Sequence, residues 1–207
     1  MSKYISTTFG SISGRHGTAV AAVQKDGTTV LRVFNPPSNP RTEAQTVQRA
    51  KFAMVNQELS VMSKLFQSTF RNNRGINKAV SLAFREAVTG DYPNFRIDYS
   101  KLTLASGNVQ SADLINMIVA TGTTINVTWD TTEGIQGNIA DGVNLVFMNT
   151  TSKITLLKEV VAMRSEGRVD VELPSAWAGA AVHCWIYFTA PDMSATSKSQ
   201  YVSLLQL

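Results

Sequence analysis

Cysteine is all but absent from this chain of 207 residues: Cys184 stands alone, which excludes an intrachain disulfide and any zinc site built on cysteines within one chain. Histidine occurs only as His16 and His183, without the H-x-x-x-H or H-E-x-x-H spacing that a metallohydrolase centre needs. No apolar run reaches the length of about 18 residues that spans a bilayer, so no transmembrane helix is expected. The opening stretch MSKYISTTFGSISG has no apolar h-region of a secretory signal, and the chain reads as made in the cytoplasm. Neither G-x-S-x-G nor G-x-x-x-x-G-K-[ST] occurs, and the run Ser13–Gly17 around Arg15 and His16 reads as an exposed turn. Charge is scarce too, at 16% of residues, where about 25% is ordinary for globular proteins. Such a surface suits a subunit that is partly covered by others.

These absences narrow the chemistry. His183 and Cys184 are not a nucleophile–base pair, because neighbours in a strand point to opposite faces. Asp130, Glu133 and Asp141 cluster near a turn but lack the EF-hand spacing for Ca²⁺. No enzyme, cofactor, metal or small-molecule substrate is expected.

What is present begins with Asn35–Phe70, the stretch with the strongest helix signals. Pro36, Pro37 and Pro40 keep helix out of the residues before them. Thr42 is then the natural N-cap, with Gln45 closing a capping box and Glu43 in the first turn. Two apolar rows follow at helical spacing: Ala44, Val47, Ala50, Met54, Val61 and Leu65, and beside them Phe52, Val55, Leu59, Met62, Phe66 and Phe70. The pattern fits a core helix, or an oligomerisation helix whose second row meets another subunit. Asn72–Gly75 ends it, and Ile76–Thr89 reads as a second helix with Gly90 as its C′ residue.

Around these helices the period changes to two. Thr18–Phe34 reads as a β-hairpin, with Asp26-Gly27 at its turn. Beyond Phe95 come short strand candidates: Phe95–Tyr99, Leu102–Leu104, Ile125–Trp129, Val143–Asn149, Lys153–Lys158, Val169–Leu173, Ala181–Ala190 and Tyr201–Leu205. Leu114–Ala120 is ambiguous between strand and helix. In the strand around HCWIYF, Val182, Cys184, Ile186 and Phe188 share one face and His183, Trp185 and Tyr187 the other, which marks a central strand. The fold expected is α+β: an N-terminal hairpin and helix pair in residues 1–94, then an immunoglobulin- or fibronectin-like β-sandwich in residues 95–207.

Charge divides unevenly along this plan. Residues 1–94 carry 12 basic and 5 acidic side chains, a net +7, whereas residues 95–207 carry 7 and 10, a net −3. That polarity suits copies meeting end to end, or a nucleic-acid face on the first half built from Arg15, Arg32, Arg41, Arg49 and Lys51.

The run from Ser13 to Val55, with N-P-R-T-x-A-Q at residues 39–45 and R-A-x-F at residues 49–52, is similar to something known. Together with TGDYPNFRIDYSKLTLASGNV and AWAGAAVHCWIYF, it resembles an uncharacterised protein family widespread in Bacteroidota. That resemblance covers most of the chain and implies no activity and no functional residues. Residues 10–70 also resemble small proteins of tailed phages and prophages, which implies a capsid- or tail-associated virion component.

The functional expectation is a non-enzymatic assembly protein whose partners are itself and other subunits. Its candidate interface is Leu31, Val33, Arg41, Arg49, Phe52, Phe66 and Phe70. A ligand-binding module that reads glycan or protein through His183, Trp185 and Tyr187 is the alternative, and nucleic-acid binding a second.

Overall fold

The computed structural model describes residues 2–4, 10–36, 38, 39, 41–70, 75–132, 134 and 137–207. They build two compact units, Met1–Thr42 and Glu43–Leu207. The division thus falls at residue 42 and not near residue 94. The reason is physical: the helices have no core of their own, and bury their apolar faces on the sandwich that follows them.

The first unit is a four-stranded antiparallel sheet in the order β1-β4-β3-β2, with β1 Ser2–Tyr4, β2 Gly14–His16, β3 Ala19–Val23 and β4 Thr29–Val33. The expected hairpin is β3–β4, paired from Ala19↔Val33 to Val23↔Thr29. Its turn needs Gly27, which adopts φ +79°. Asp26 steadies that turn by accepting from the Thr28 amide at 3.0 Å. The two outer strands were not legible, because β1 and β2 have only three residues each among serines, threonines and glycines.

In the second unit the long helix is really two: α1 Glu43–Ser60 and α2 Ser63–Thr69. The break lies at Val61-Met62, where the Met62 amide donates to the Leu59 carbonyl at 3.0 Å in a tightened turn. Helix α1 does begin right after Thr42. Pro37, Pro40 and residues 71–74, the proline entry and most of the expected Asn72–Gly75 break, lie outside the described residues. Helix α3, Gly75–Glu86, packs on both α1 and α2. A Cβ on Gly75 would collide with the Phe66 carbonyl, so glycine sets how closely α3 approaches α2. Helix α3 ends earlier than its pattern suggests. Val88–Thr89 (β5) pairs with Arg96–Ile97 (β6), and Gly90 serves that small hairpin instead of capping the helix.

The rest is the expected sandwich of seven strands. One sheet has the order β11-β8-β7 (β7 Asn116–Thr121, β8 Thr124–Thr128, β11 Arg168–Glu172). The other has the order β10-β9-β12-β13 (β9 Gly142–Asn149, β10 Thr155–Met163, β12 Ala181–Thr189, β13 Gln200–Gln206). Crossing between sheets after β8, β10 and β11 gives the three-plus-four arrangement of a fibronectin-like sandwich. Leu114–Ala120 resolves largely into β7, whereas Leu102–Ala105 is buried without joining a strand and Tyr99 lies in a 3-10 turn, Tyr99–Lys101.

The four-stranded sheet is buried on both faces. Val143, Leu145, Phe147, Val182, Cys184, Ile186 and Phe188 meet the three-stranded sheet. Val146, Met148, Trp185 and Tyr187 lie under Val55, Leu59, Met62, Leu65 and Phe66 of the helices. Helices, sheet and sheet therefore form three layers, and β9 is buried at every residue. The outer face of the three-stranded sheet is wet, with Asn126 donating to Asp170 at 2.6 Å beside Arg168.

Candidate functional site: a histidine and tyrosine cluster at the rim of the helix-covered face

Strand alternation turns His183 and Trp185 toward the helical layer, and β13 brings Tyr201 beside them. Tyr99 joins from the 3-10 turn, its ring centroid 4.8 Å from that of His183. His183 stands 5.7 Å from Trp185 and 5.8 Å from Tyr201, and Trp185 meets Tyr201 edge-on at 5.4 Å. The His183 Nδ1 and the Tyr201 hydroxyl share a hydrogen bond of 3.0 Å.

A charged group closes the outer side. The Tyr99 hydroxyl donates to Glu58 Oε2 of α1 at 2.7 Å. Lys153, in the β9–β10 turn, donates to the same carboxylate oxygen at 3.3 Å and to the Tyr99 hydroxyl at 3.1 Å. Its ammonium also lies 5.2 Å from the Tyr99 ring centre. Burial and the neighbouring Lys153 charge hold the His183 pKa below its usual value. Burial pushes the Tyr99 and Tyr201 hydroxyls up.

Chemically this is a tie between layers. Glu58, Tyr99, Lys153, His183 and Tyr201 come from a helix, a turn, a loop and two strands, and they satisfy one another. Cys184 faces the other way, fully buried, with its thiol pushed up to about 12 by burial. No thiolate is available to His183.

Two open depressions flank the helices. A cleft of about 650 Å³ lies between the segment Ser100–Thr103 and Lys198–Tyr201, with Lys101, Lys198 and Glu86 on its walls. A smaller, more apolar groove of about 420 Å³ runs between α1 and α3, lined by Phe52, Val80 and Phe84. Lys51 lies over the Phe84 ring at 4.4 Å.

The sequence-derived residues separate into three groups. Leu31 and Val33 share one face of the N-terminal sheet, and Val33 is 74% exposed. Arg41 and Arg49 are exposed, and Phe52 stands half out of its groove. Phe66 and Phe70 are not interface residues: they stack on each other at 6.1 Å inside the chain's own core. From Val55 onward the second helical row is thus the inward one, because it is the row that faces the sheet. Trp185 and Tyr187 are core as well, which leaves only half-buried His183 within reach of solvent.

Asp130 and Asp141 do not form a cation site. Asp130 accepts from the Thr132 amide and hydroxyl, whereas Asp141 pairs with buried Arg164 at 3.3 Å; Glu133 lies outside the described residues. Among the described residues no three His, Cys, Asp or Glu side chains gather as metal ligands, and no helix is long and apolar enough to cross a membrane. Sequence reasoning missed Tyr99, Lys153 and Arg164. Each acts through partners at least 23 residues away along the chain, which local spacing does not signal.

Among curated proteins, none matches the chain. The fibronectin type III domain of human contactin 1 is a similar solved structure, at 8% identity and a TM-score of 0.33, over 57% of this chain and 89% of that one. A family model described as a family of unknown function, DUF6266, matches residues 11–203. The chain belongs to the DUF6266 family.

Proposed function

We propose that the protein is a non-enzymatic structural subunit that docks into a larger assembly through its N-terminal sheet. One observation carries this reading: among the described residues the first unit leaves an apolar sheet face open at Val23 and Val33. Val33 and Val23 lie on that face, 74% and 44% exposed, with Ala19, Leu31 and the buried Ala21 and Thr29 beside them. A sheet with an apolar face gains stability when another layer covers it. Charge supports the same reading. Residues 1–42 carry five basic and one acidic side chain, the whole net +4 of the chain, whereas residues 43–207 balance at 14 and 14. The resemblance of residues 10–70 to tailed-phage proteins makes a virion the assembly this reading favours.

The test is the mass of the full chain by light scattering at low and high salt, beside Val33→Asp. Association lost in the variant, with an unchanged circular dichroism spectrum, supports the reading. An unchanged mass distribution in the variant overturns it.

Nucleic-acid binding keeps one specific observation. Arg15, Val20 and Arg32 stand in register across three strands on the opposite face of that sheet, and the Arg15 guanidinium lies 4.0 Å over Phe34. Two arginines two strands apart are separated by about 10 Å. Titration with a short DNA duplex separates the readings: strong, salt-dependent binding lost in Arg32→Glu but kept in Val33→Asp would favour nucleic acid. A glycan- or protein-binding module would rest on His183 and the loops, since Trp185 and Tyr187 are buried under the helices.

A further inference from the structure

The sandwich has two sides where sheets end, and they are built differently. On one side lie β10 and β11, which neighbour each other. Strand β10 carries Lys158 and Glu159 and breaks register between Lys158 and Ala162, with Val160 at φ 45°. Strand β11 carries Arg168, Asp170 and Glu172. Charges on an edge discourage another strand from adding to it. On the other side lie β7 and β13, also neighbours. Both strands also break register, β7 between Val119 and Thr121 and β13 between Tyr201 and Ser203, but their sequences, NMIVAT and QYVSLLQ, contain no charge, no proline and no glycine.

Strand β13 is the more open of the two. It pairs with β12 alone from Gln200 to Gln206. The Leu207 amide donates to the Ala180 carbonyl at 3.1 Å, so the groups of Leu207 face β12. Backbone groups alternate along a strand. The amides and carbonyls of Leu204 and Gln206 therefore point away from β12, on the edge of the sheet where no described strand pairs. The Leu204 side chain is 53% exposed.

We propose that β13 pairs antiparallel with β13 of a second copy, about a two-fold axis through Leu205, joining two four-stranded sheets into one of eight. In that register Leu204 of each copy exchanges hydrogen bonds with Gln206 of the other. A strand paired with itself sets like beside like, so any charge on it would repel its own copy. Strand β13 meets that condition, whereas β10 does not, because Lys158 and Glu159 stand on it. A stable contact needs about 800 Å² per copy, more than one strand supplies. The adjoining β7 margin adds apolar surface, with Ile118 52% and Leu114 85% exposed.

This contact deepens the assembly reading by naming how two copies meet, but it uses none of the residues of the N-terminal sheet. The experiment is analytical ultracentrifugation of the full chain, beside Leu204→Lys and Val33→Asp. Hydrogen exchange at the Leu204 and Gln206 amides is followed at low and high protein concentration. A concentration-dependent dimer is expected. Leu204→Lys should weaken it about 100-fold, since each dimer carries the change twice at about tenfold each. Exchange at the two amides should slow as the dimer fills. Val33→Asp should leave this dimer intact. A dimer that survives Leu204→Lys, or amides that exchange equally fast at all concentrations, overturns the edge contact. If association fails in Val33→Asp alone, the N-terminal reading stands and the edge proposal falls. If both readings hold, Val33→Asp reduces larger assemblies to the edge dimer; a mass distribution that Val33→Asp leaves wholly unchanged sinks the N-terminal reading alone.

Discussion

The two units of this chain use the same strand chemistry to opposite effect. In Glu43–Leu207 both faces of the four-stranded sheet are covered, so β9 and β12 lie between the helices and the second sheet. In Met1–Thr42 only Ala21, Thr29 and Val30 are buried among the described residues, and an alternating apolar face stays open at Val23 and Val33. The difference teaches where stability resides. A body with two cores unfolds as one cooperative unit, whereas a thin sheet holds little apolar area and opens at lower free energy. An element so lightly anchored gains most from a partner, which is why the functional reading rests on it.

The largest effect that tests this contrast is truncation inside the body. Phe147→Ala should cost about 3–5 kcal/mol, the usual loss for a buried phenylalanine. Asp141→Ala belongs in the same range, because it strands Arg164 with no counter-charge while fully buried. Chemical denaturation measures both. Labelling of the Cys184 thiol adds a local readout: with its pKa at about 12 it should react only when the body opens, and faster in both variants. Losses under about 1 kcal/mol would mean that the body is no better packed than the sheet.

A smaller effect is expected in the first unit. Val30→Ala removes two methylene-sized groups, worth about 1.5 kcal/mol at most. It should speed amide exchange in β3 and β4 while leaving the rate of Cys184 labelling unchanged. Equal acceleration at Cys184 would show that the two units unfold together, and the contrast would collapse. A little below that lies Tyr99→Phe, which removes the hydroxyl that donates to Glu58 and accepts from Lys153. About 1 kcal/mol is expected for that half-buried link, read as a fall in the melting temperature of the body.

Legibility in the sequence follows the same divide. The strands β8, β9, β11, β12 and β13 were readable because alternation between two packed faces leaves a strong pattern, as in Val182–Phe188. The helix start after Thr42 lies where the sequence places it. The break at Val61-Met62 was not, since both residues continue the helical spacing and only the packing of Met62 against the sheet decides otherwise. The direction of the second helical row was also hidden: periodicity shows that Phe66 faces something, never whether that is its own sheet or another subunit. The rim cluster was half visible. His183 and Trp185 stood out on one strand, but Tyr99 and Lys153 reach it only through the fold, from 84 and 30 residues upstream of His183.

The finest test concerns that rim, where the well-packed body is partly wet. His183 faces Tyr99, Tyr201 and the Lys153 ammonium, with Asp98 acting weakly in the opposite sense. Burial and Lys153 both disfavour the imidazolium, so the folded pKa lies below the unfolded value of about 6.5. Between the two values the unfolded chain binds more protons, and stability rises with pH there. The contribution is present above about pH 6.5 and is lost as the pH falls through the folded value. Asp26, Asp98 and Asp130 have pKa values lowered from 3.8, so their losses come at more acid pH and leave this window clear. Because His183 is only half-buried, solvent screens the effect, and it should be smaller than that of Val30→Ala. Melting temperatures between about pH 7.5 and pH 5 should fall in the native chain, less so in His183→Gln. Lys153→Met should flatten the slope too, since it removes the second cause of the shift. Parallel profiles for the native chain and His183→Gln would show that the histidine titrates as if free. The rim would then be no more enclosed than the open face of the N-terminal sheet.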